Sequence, residues 1–240
     1  MARIKAFIKE TIISLLPKAI ITEINSPFIN QNVYYSQEGE DIILDRIFEG
    51  QQRGFYMDIG SHHPIRFSNT HKFYLKGWNG INIDATPGSM LPFKDIRPRD
   101  INIEIGISSQ EGEMDYFIMD EPALNTFSKD RVDQLISDTT YKLKETVTVK
   151  TRTLEQVMKQ YVPLDQHIDF LTIDVEGLDF EILHSNDWNK YRPCIVLLED
   201  LHSSIENVAN SELYLFMKGL KYELLSRTYN TVFFRDLLHK

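Results

Sequence analysis

Residues 55–84 read FYMDIGSHHPIRFSNTHKFYLKGWNGINID. A short apolar run ends in Asp58-Ile59-Gly60, a polar turn follows, Asn69 to Leu75 has helical character closed by Gly77, and a second apolar run ends in Ile83-Asp84. The pattern predicts strand, loop, helix, strand, with an acid at the tip of each strand. Asp84 lies 24 residues beyond Gly60 (84 minus 60). Parallel sheets that bind nucleotides use this layout, with a glycine turn after the first strand and a carboxylate at the tip of the second to accept from ribose hydroxyls. The later glycines of the G-x-G-x-x-G pattern are missing, because Ser61-His62-His63-Pro64 follows Gly60. A close approach to a pyrophosphate is therefore not provided for, which favours a phosphate-free nucleoside over a dinucleotide.

Outward from this unit, strands and helices alternate. Helical spacing is expected over Glu38–Phe48, with Ser36 near its start, over a short segment between Pro87-Gly88 and Pro98, and over Leu154–Tyr161, Leu178–His184 and Leu213–Lys218. Strand character is expected at Ile101–Ile107, Met114–Met119, Thr146–Thr151, Ile168–Asp174 and Ile195–Leu198. Tyr222–Ser226 and Thr231–Phe234 form a terminal hairpin turning near Tyr229-Asn230. Asp130–Lys144 is polar, either helical or mobile. Such alternation predicts an α/β fold, a doubly wound and mostly parallel sheet with helices on both faces and one antiparallel insertion from the hairpin.

The chain has 240 residues, 42% of them hydrophobic, enough for one sizeable core. Its net charge of -9 speaks against a nucleic-acid partner, which needs a basic footprint. The single cysteine, Cys194, sits in the apolar run CIVLL and reads as a core residue in a reducing, cytoplasmic setting. Residues 1–33 are read as an N-terminal helical extension, basic and amphipathic over residues 1–20, and residues 34–240 as the main domain. The extension reads as a packing helix, with weak contact to the inner face of a membrane as the second reading. Lys9 and Glu10 interrupt its apolar region, so a signal peptide is not expected. Nothing in the sequence sets an oligomeric state.

Ligands of open parallel sheets bind outside the carboxyl ends of the strands. Those ends carry Asp58 and Gly60, Asp84, Ile107-Ser108, Asp174 with Glu176, and Glu199-Asp200 with His202. One such acid is often a helix cap; five polar strand ends on one rim are a candidate site.

The segments YYSQEGEDIIL, FYMDIGSHHP, SNTHKFYLKGWNGINIDATPGSM, ALNTFS and FLTIDVEGLDFEIL resemble the FkbM family of S-adenosylmethionine-dependent methyltransferases, over roughly Tyr34 to Asp200. Ser61-His62-His63-Pro64 departs from the smaller, glycine-containing turn of many members. The resemblance implies a class I methyltransferase (Rossmann-like) fold with seven strands in the order 3-2-1-4-5-7-6. It implies methyl transfer from S-adenosylmethionine to a hydroxyl, often on a sugar or polyketide, so that a glycan or another hydroxyl-bearing small molecule is the expected acceptor. Carried onto this chain, Asp58, Gly60 and Ser61 line the methionine side of the cofactor, and Asn69 and Thr70 reach its carboxylate. Asp84 takes the ribose, Ala85 packs beside the adenine, Ile107 and Ser108 bracket it, and Gln37 closes the site from outside together with Glu38.

A hydroxyl is a poor nucleophile until deprotonated, so a base or metal is wanted. Asp174, Glu199 and Asp200 are a hard-oxygen set suited to Mg²⁺ or Mn²⁺, and they also resemble the strand-end metal sites of catechol-type O-methyltransferases. Asp174, Glu176 and His202 are the candidate catalytic groups. His62 and His63 are placed to face the acceptor, Leu124–Phe127 to wall it, and His71, His167, His184 and His239 are read as surface or helix residues. The alternatives are an NAD(P)-dependent oxidoreductase on the same sheet and a non-catalytic glycan-binding module.

Overall fold

The computed structural model describes residues 32–201 and 203–238. The expected N-terminal extension, His202 and His239 lie outside the described residues. All that follows concerns the compact unit Tyr34–Lys240.

The main sheet has seven strands: β1 (Phe55–Ile59), β2 (Asn79–Asp84), β3 (Ile101–Glu104), β7 (Phe170–Ile173), β8 (Ile195–Glu199), β9 (Tyr222–Arg227) and β10 (Thr231–Asp236). Their order is β3-β2-β1-β7-β8-β10-β9. Numbered along the chain within this sheet, that is 3-2-1-4-5-7-6, the class I methyltransferase arrangement. β3, β2, β1, β7 and β8 run parallel, and β10 enters antiparallel beside β8. Every residue of β1 is buried, as expected of a central strand covered on both faces.

Strand alternation divides the core. Met57, Ile59, Leu171, Ile173, Val196 and Leu198 pack against α5 (Leu154–Tyr161), α6 (Asp179–His184) and α7 (Glu212–Gly219). On the opposite face Tyr56, Phe170, Ile195 and Leu197 pack with Phe73 of α2 (His71–Leu75), Trp78 and Leu44 of α1 (Glu40–Ile47). Ser36 and Asp41 tie the entry of α1 together: the Ser36 hydroxyl donates to the Asp41 carboxylate at 2.9 Å and accepts from its N–H at 3.3 Å. α3 (Met90–Ile96) leads to Arg97, which is fully buried over the Tyr56 ring.

One expectation needs correction, and two open readings resolve. Ile101–Ile107 is not one strand: Ile105 donates its N–H to the Asp84 carbonyl at 3.0 Å, and the chain then leaves the sheet. Gly106–Ile107 becomes β4 of a second, three-stranded sheet with β5 (Gly112–Met119) and β6 (Leu143–Arg152), in the order β4-β6-β5. The polar segment after Ser128 is an ordered helix, α4 (Lys129–Asp138), because the Ser128 side chain caps the Arg131 N–H. His71 is a helix residue but not a surface one; it is buried with its ring edge-on to Tyr35 at 4.6 Å. Cys194 is half-buried beside His167, and burial pushes its thiol up to about 11, so it stays a thiol. Among the described residues no helix is long and apolar enough to cross a membrane.

Candidate active site

The turn after β1 is built on close approach. Gly60 has φ +81°, and a Cβ there would stand 1.7 Å from the Asp174 carbonyl oxygen. Only glycine fits. The N–H groups of Gly60 and Ser61 both donate to the Ile83 carbonyl, at 2.9 and 3.0 Å, which sutures the turn onto the end of β2. Asp84 completes the joint. One carboxylate oxygen accepts from the His62 N–H at 2.9 Å and the other from the Thr86 N–H at 2.8 Å. Each oxygen keeps a lone pair, so the carboxylate is fixed in orientation without being used up.

Asp84 faces a cleft also lined by Gly60, Ala85, Ile105, Ile107, Tyr116 and Phe127. The second sheet supplies much of the wall. Tyr116 and Phe127 pack at 4.6 Å between ring centroids, and the Tyr116 and Thr86 hydroxyls are hydrogen-bonded at 3.2 Å.

Beneath the turn lies a buried polar network. Arg97 donates from Nε to Asp100 (2.9 Å) and from Nη2 to the Tyr56 hydroxyl (2.8 Å) and Thr70 Oγ1 (2.9 Å). Thr70 in turn donates to Asp58 at 2.7 Å. Burial raises Asp58 to about 6, with Arg97 and the Thr70 hydrogen bond opposing. Asp58 and Thr70 thus support the turn from behind. Ser61 is buried with its hydroxyl on the Ile83 carbonyl, and Ser108 is buried with its hydroxyl on the Gln110 carbonyl.

The cleft opens onto a bowl, which shares Gly60, His62, Ala123, Asp174 and Glu176 with it. Here Asp174, Glu176 and Glu199 bring carboxylate oxygens within 4.8 Å of one another. Asp200 is not in this trio. It is buried, and one of its carboxylate oxygens accepts from the Ser203 N–H at 2.9 Å. Glu176, whose φ is +54°, holds the place that the sequence reading gave to Asp200. Arg131 of α4 grips Glu176 with Nε at 3.0 Å and Nη2 at 2.9 Å.

Asp174 is a solvent-exposed residue of the bowl, crowded on its protein side by Glu176 and Glu199. Desolvation there, with the Glu199 and Glu176 charges next, raises it well above the usual carboxylate range. Burial, then Glu176 and Asp179, push Glu199 up to about 8, with Arg131 opposing. Burial raises Glu176 as well, and Arg131 holds it back. Burial lowers His62; since a guanidinium can only donate, the 3.2 Å contact with Arg66 makes His62 Nε2 an acceptor.

Other expected residues sit nearby. Gln37 and Asn69 line a recess of the bowl with Asp174 and Glu199, away from Asp84, and Asn69 donates to the Thr172 hydroxyl at 3.0 Å. Glu38 accepts from the Asn230 N–H at 2.8 Å, tying the start of α1 to the β9–β10 turn. The expected acceptor wall divides: Leu124 lines the bowl, and Asn125 and Phe127 line the cleft. Sequence reasoning missed Arg131, Tyr116, Phe67 and Asn230. Arg131 lies 45 residues from Glu176 (176 minus 131), in a stretch with no local signal of function.

A sequence profile of the methyltransferase FkbM domain matches residues 58–224, more than half of the chain. A search of curated proteins returned no match. Among solved structures the chain is similar to a candidate O-methyltransferase from Klebsiella pneumoniae, at 8% identity over 96% of each chain with a TM-score of 0.39.

Proposed function

Because the chain belongs to the FkbM methyltransferase family, we propose that it uses S-adenosylmethionine and methylates a hydroxyl of a sugar, with a glycan as the acceptor class. The observation that carries this reading is Asp84, oriented by two backbone N–H groups at the tip of β2, in a cleft that opens onto three carboxylates. The first N–H groups of α2 speak against a dinucleotide. They would cradle a pyrophosphate, but that of His71, like the preceding Thr70 N–H, points at the Ser68 hydroxyl, at 3.1 and 3.4 Å.

S-adenosylmethionine, when bound, supplies an electrophilic sulfonium methyl. Asp84 accepts from its ribose hydroxyls. Ala85, Ile107, Tyr116 and Phe127 enclose the base, and Gly60 leaves room for the chain to pass toward the bowl. Asp58, Ser61, Thr70 and Ser108 hold these walls in place. Gln37 and Asn69 border the methionine end. Asp174 takes the proton of the acceptor hydroxyl, its raised affinity for protons bringing it toward the operating pH of a general base. Arg131 offsets the charge of Glu176 and lets three acids share one recess.

The oxygens of Asp174, Glu176 and Glu199 are a hard donor set that fits Mg²⁺ or Mn²⁺. Such an ion, when bound, acidifies a ligated hydroxyl. Calorimetry tests the core of the proposal. Wild-type protein binds S-adenosylhomocysteine, and Asp84→Ala weakens binding at least about ten-fold, the loss of one charged hydrogen bond or more. Unchanged affinity in that variant refutes the ribose assignment.

A further inference from the structure

We infer that Phe67 determines acceptor specificity: its ring is a stacking platform for the apolar face of a pyranose whose reacting hydroxyl meets Asp174. The inference rests on the methyl-transfer reading for the identity of the reaction, and on separate observations for the platform.

Five non-glycine residues among those described have left-handed backbone, and three of them, His62, Phe67 and Glu176, line the bowl. Such strain concentrates at functional sites. Two of the three are accounted for. His62 turns its N–H onto Asp84, and Glu176 turns its carbonyl onto the Thr126 hydroxyl at 2.8 Å while its carboxylate meets Arg131. Phe67, at φ +55°, is different. Its conformation lets the Ser68 N–H reach the Tyr35 carbonyl at 3.0 Å, and a glycine would deliver that bond without strain. A bulky side chain there is an outlier that the backbone does not ask for.

Burial does not explain it, since Phe67 is 41% exposed. The ring is nonetheless held. The Arg66 guanidinium lies 4.2 Å from its centroid, and the His62 ring lies near-parallel at 6.3 Å. Arg66 is anchored in turn on Glu121 at 2.8 Å. The ring is thus held by its neighbours, strained in its backbone and partly exposed where it lines the bowl.

The same bowl and its recess are both lined by Phe67, Asp174, Glu199, Gln37 and Asn230. Among the described residues, the side-chain amides of Gln37 and Asn230 make no hydrogen bond. An aromatic ring lining the same bowl as unused amides and carboxylates matches a ligand with one apolar C–H face and a girdle of hydroxyls, which is a pyranose.

The test uses the full chain and methyl glycosides of glucose, galactose, mannose and rhamnose, with and without S-adenosylhomocysteine, followed by saturation-transfer NMR and calorimetry. Wild-type protein is expected to transfer magnetisation to the C–H face of at least one glycoside. Phe67→Gly should weaken that glycoside about ten-fold, as loss of a stacked ring would. It should also keep S-adenosylhomocysteine affinity within about two-fold and melt at the same or a higher temperature, because glycine relieves the left-handed strain. Phe67→Trp should retain binding. Equal glycoside binding by Phe67→Gly, or no transfer to any glycoside from wild-type protein, overturns the assignment. Glycoside binding that depends on Phe67 in a protein that ignores S-adenosylhomocysteine would support the platform and refute the methyl-transfer reading.

Discussion

Arg97→Met keeps the apolar stem of the side chain but removes the charge on which two buried acids depend. Arg97 and Asp100 are both fully buried side chains joined at 2.9 Å. Breaking such a pair from one side costs ~3–5 kcal/mol, because the remaining charge is left uncompensated. Asp100 keeps hydrogen bonds from the Gly80 N–H (3.0 Å), Asn82 (2.9 Å) and Tyr56 (2.8 Å), which places the cost near the lower end. At ~2–4 °C per kcal/mol for a chain of this size, ~3 kcal/mol lowers Tm by roughly 6–12 °C. The loss should depend on pH. Asp58 is raised to about 6 in the fold, against ~3.9 in the unfolded chain. Below pH ~4 both states are protonated and Asp58 contributes nothing; above its folded value the fold carries the whole penalty of an ionised buried acid, ~3 kcal/mol. Arg97 opposes that shift, so removing it enlarges the penalty and extends it to higher pH. Urea unfolding at pH 5 and pH 8 should therefore show the larger deficit at pH 8. Adding Asp100→Asn should recover part of the loss, making the double variant less destabilised than the sum of the singles. A deficit equal at both pH values, with additive singles, would show that Arg97 acts by packing alone.

Asp174→Asn should lower turnover by at least ~10²-fold, as loss of a general base does, while calorimetric affinity for S-adenosylhomocysteine stays within a few-fold. Chelator should abolish turnover and Mg²⁺ or Mn²⁺ restore it; full activity in excess chelator leaves Asp174 acting as a free base. Gly60→Ala places a methyl 1.7 Å from the Asp174 carbonyl oxygen at a left-handed φ. It should abolish S-adenosylhomocysteine binding and destabilise the fold by more than the ~1 kcal/mol of the backbone effect alone, read by thermal unfolding.

Local chemistry wrote much of this protein into its sequence. Short apolar runs at Phe55–Ile59 and Ile81–Asp84 marked the central strands, and the glycine at 60 with the acid at 84 marked one side of the candidate site. The terminal hairpin was legible from its turn at Tyr229-Asn230. These features need only neighbours in the chain: a strand period, a turn residue, a carboxylate at a strand tip. What required the tertiary structure was every pairing across distant segments. The break at Ile105 depends on the Asp84 carbonyl capturing its N–H, and the second sheet that walls the cleft depends on β4 finding β6. Glu176, at a left-handed φ, rather than Asp200 completes the acid trio. The sequence placed the acids on one rim. Only folding decided which of them share a recess, which one Arg131 neutralises, and that a strained phenylalanine stands exposed beside them, because those distances are set by packing between elements and not by spacing along the chain.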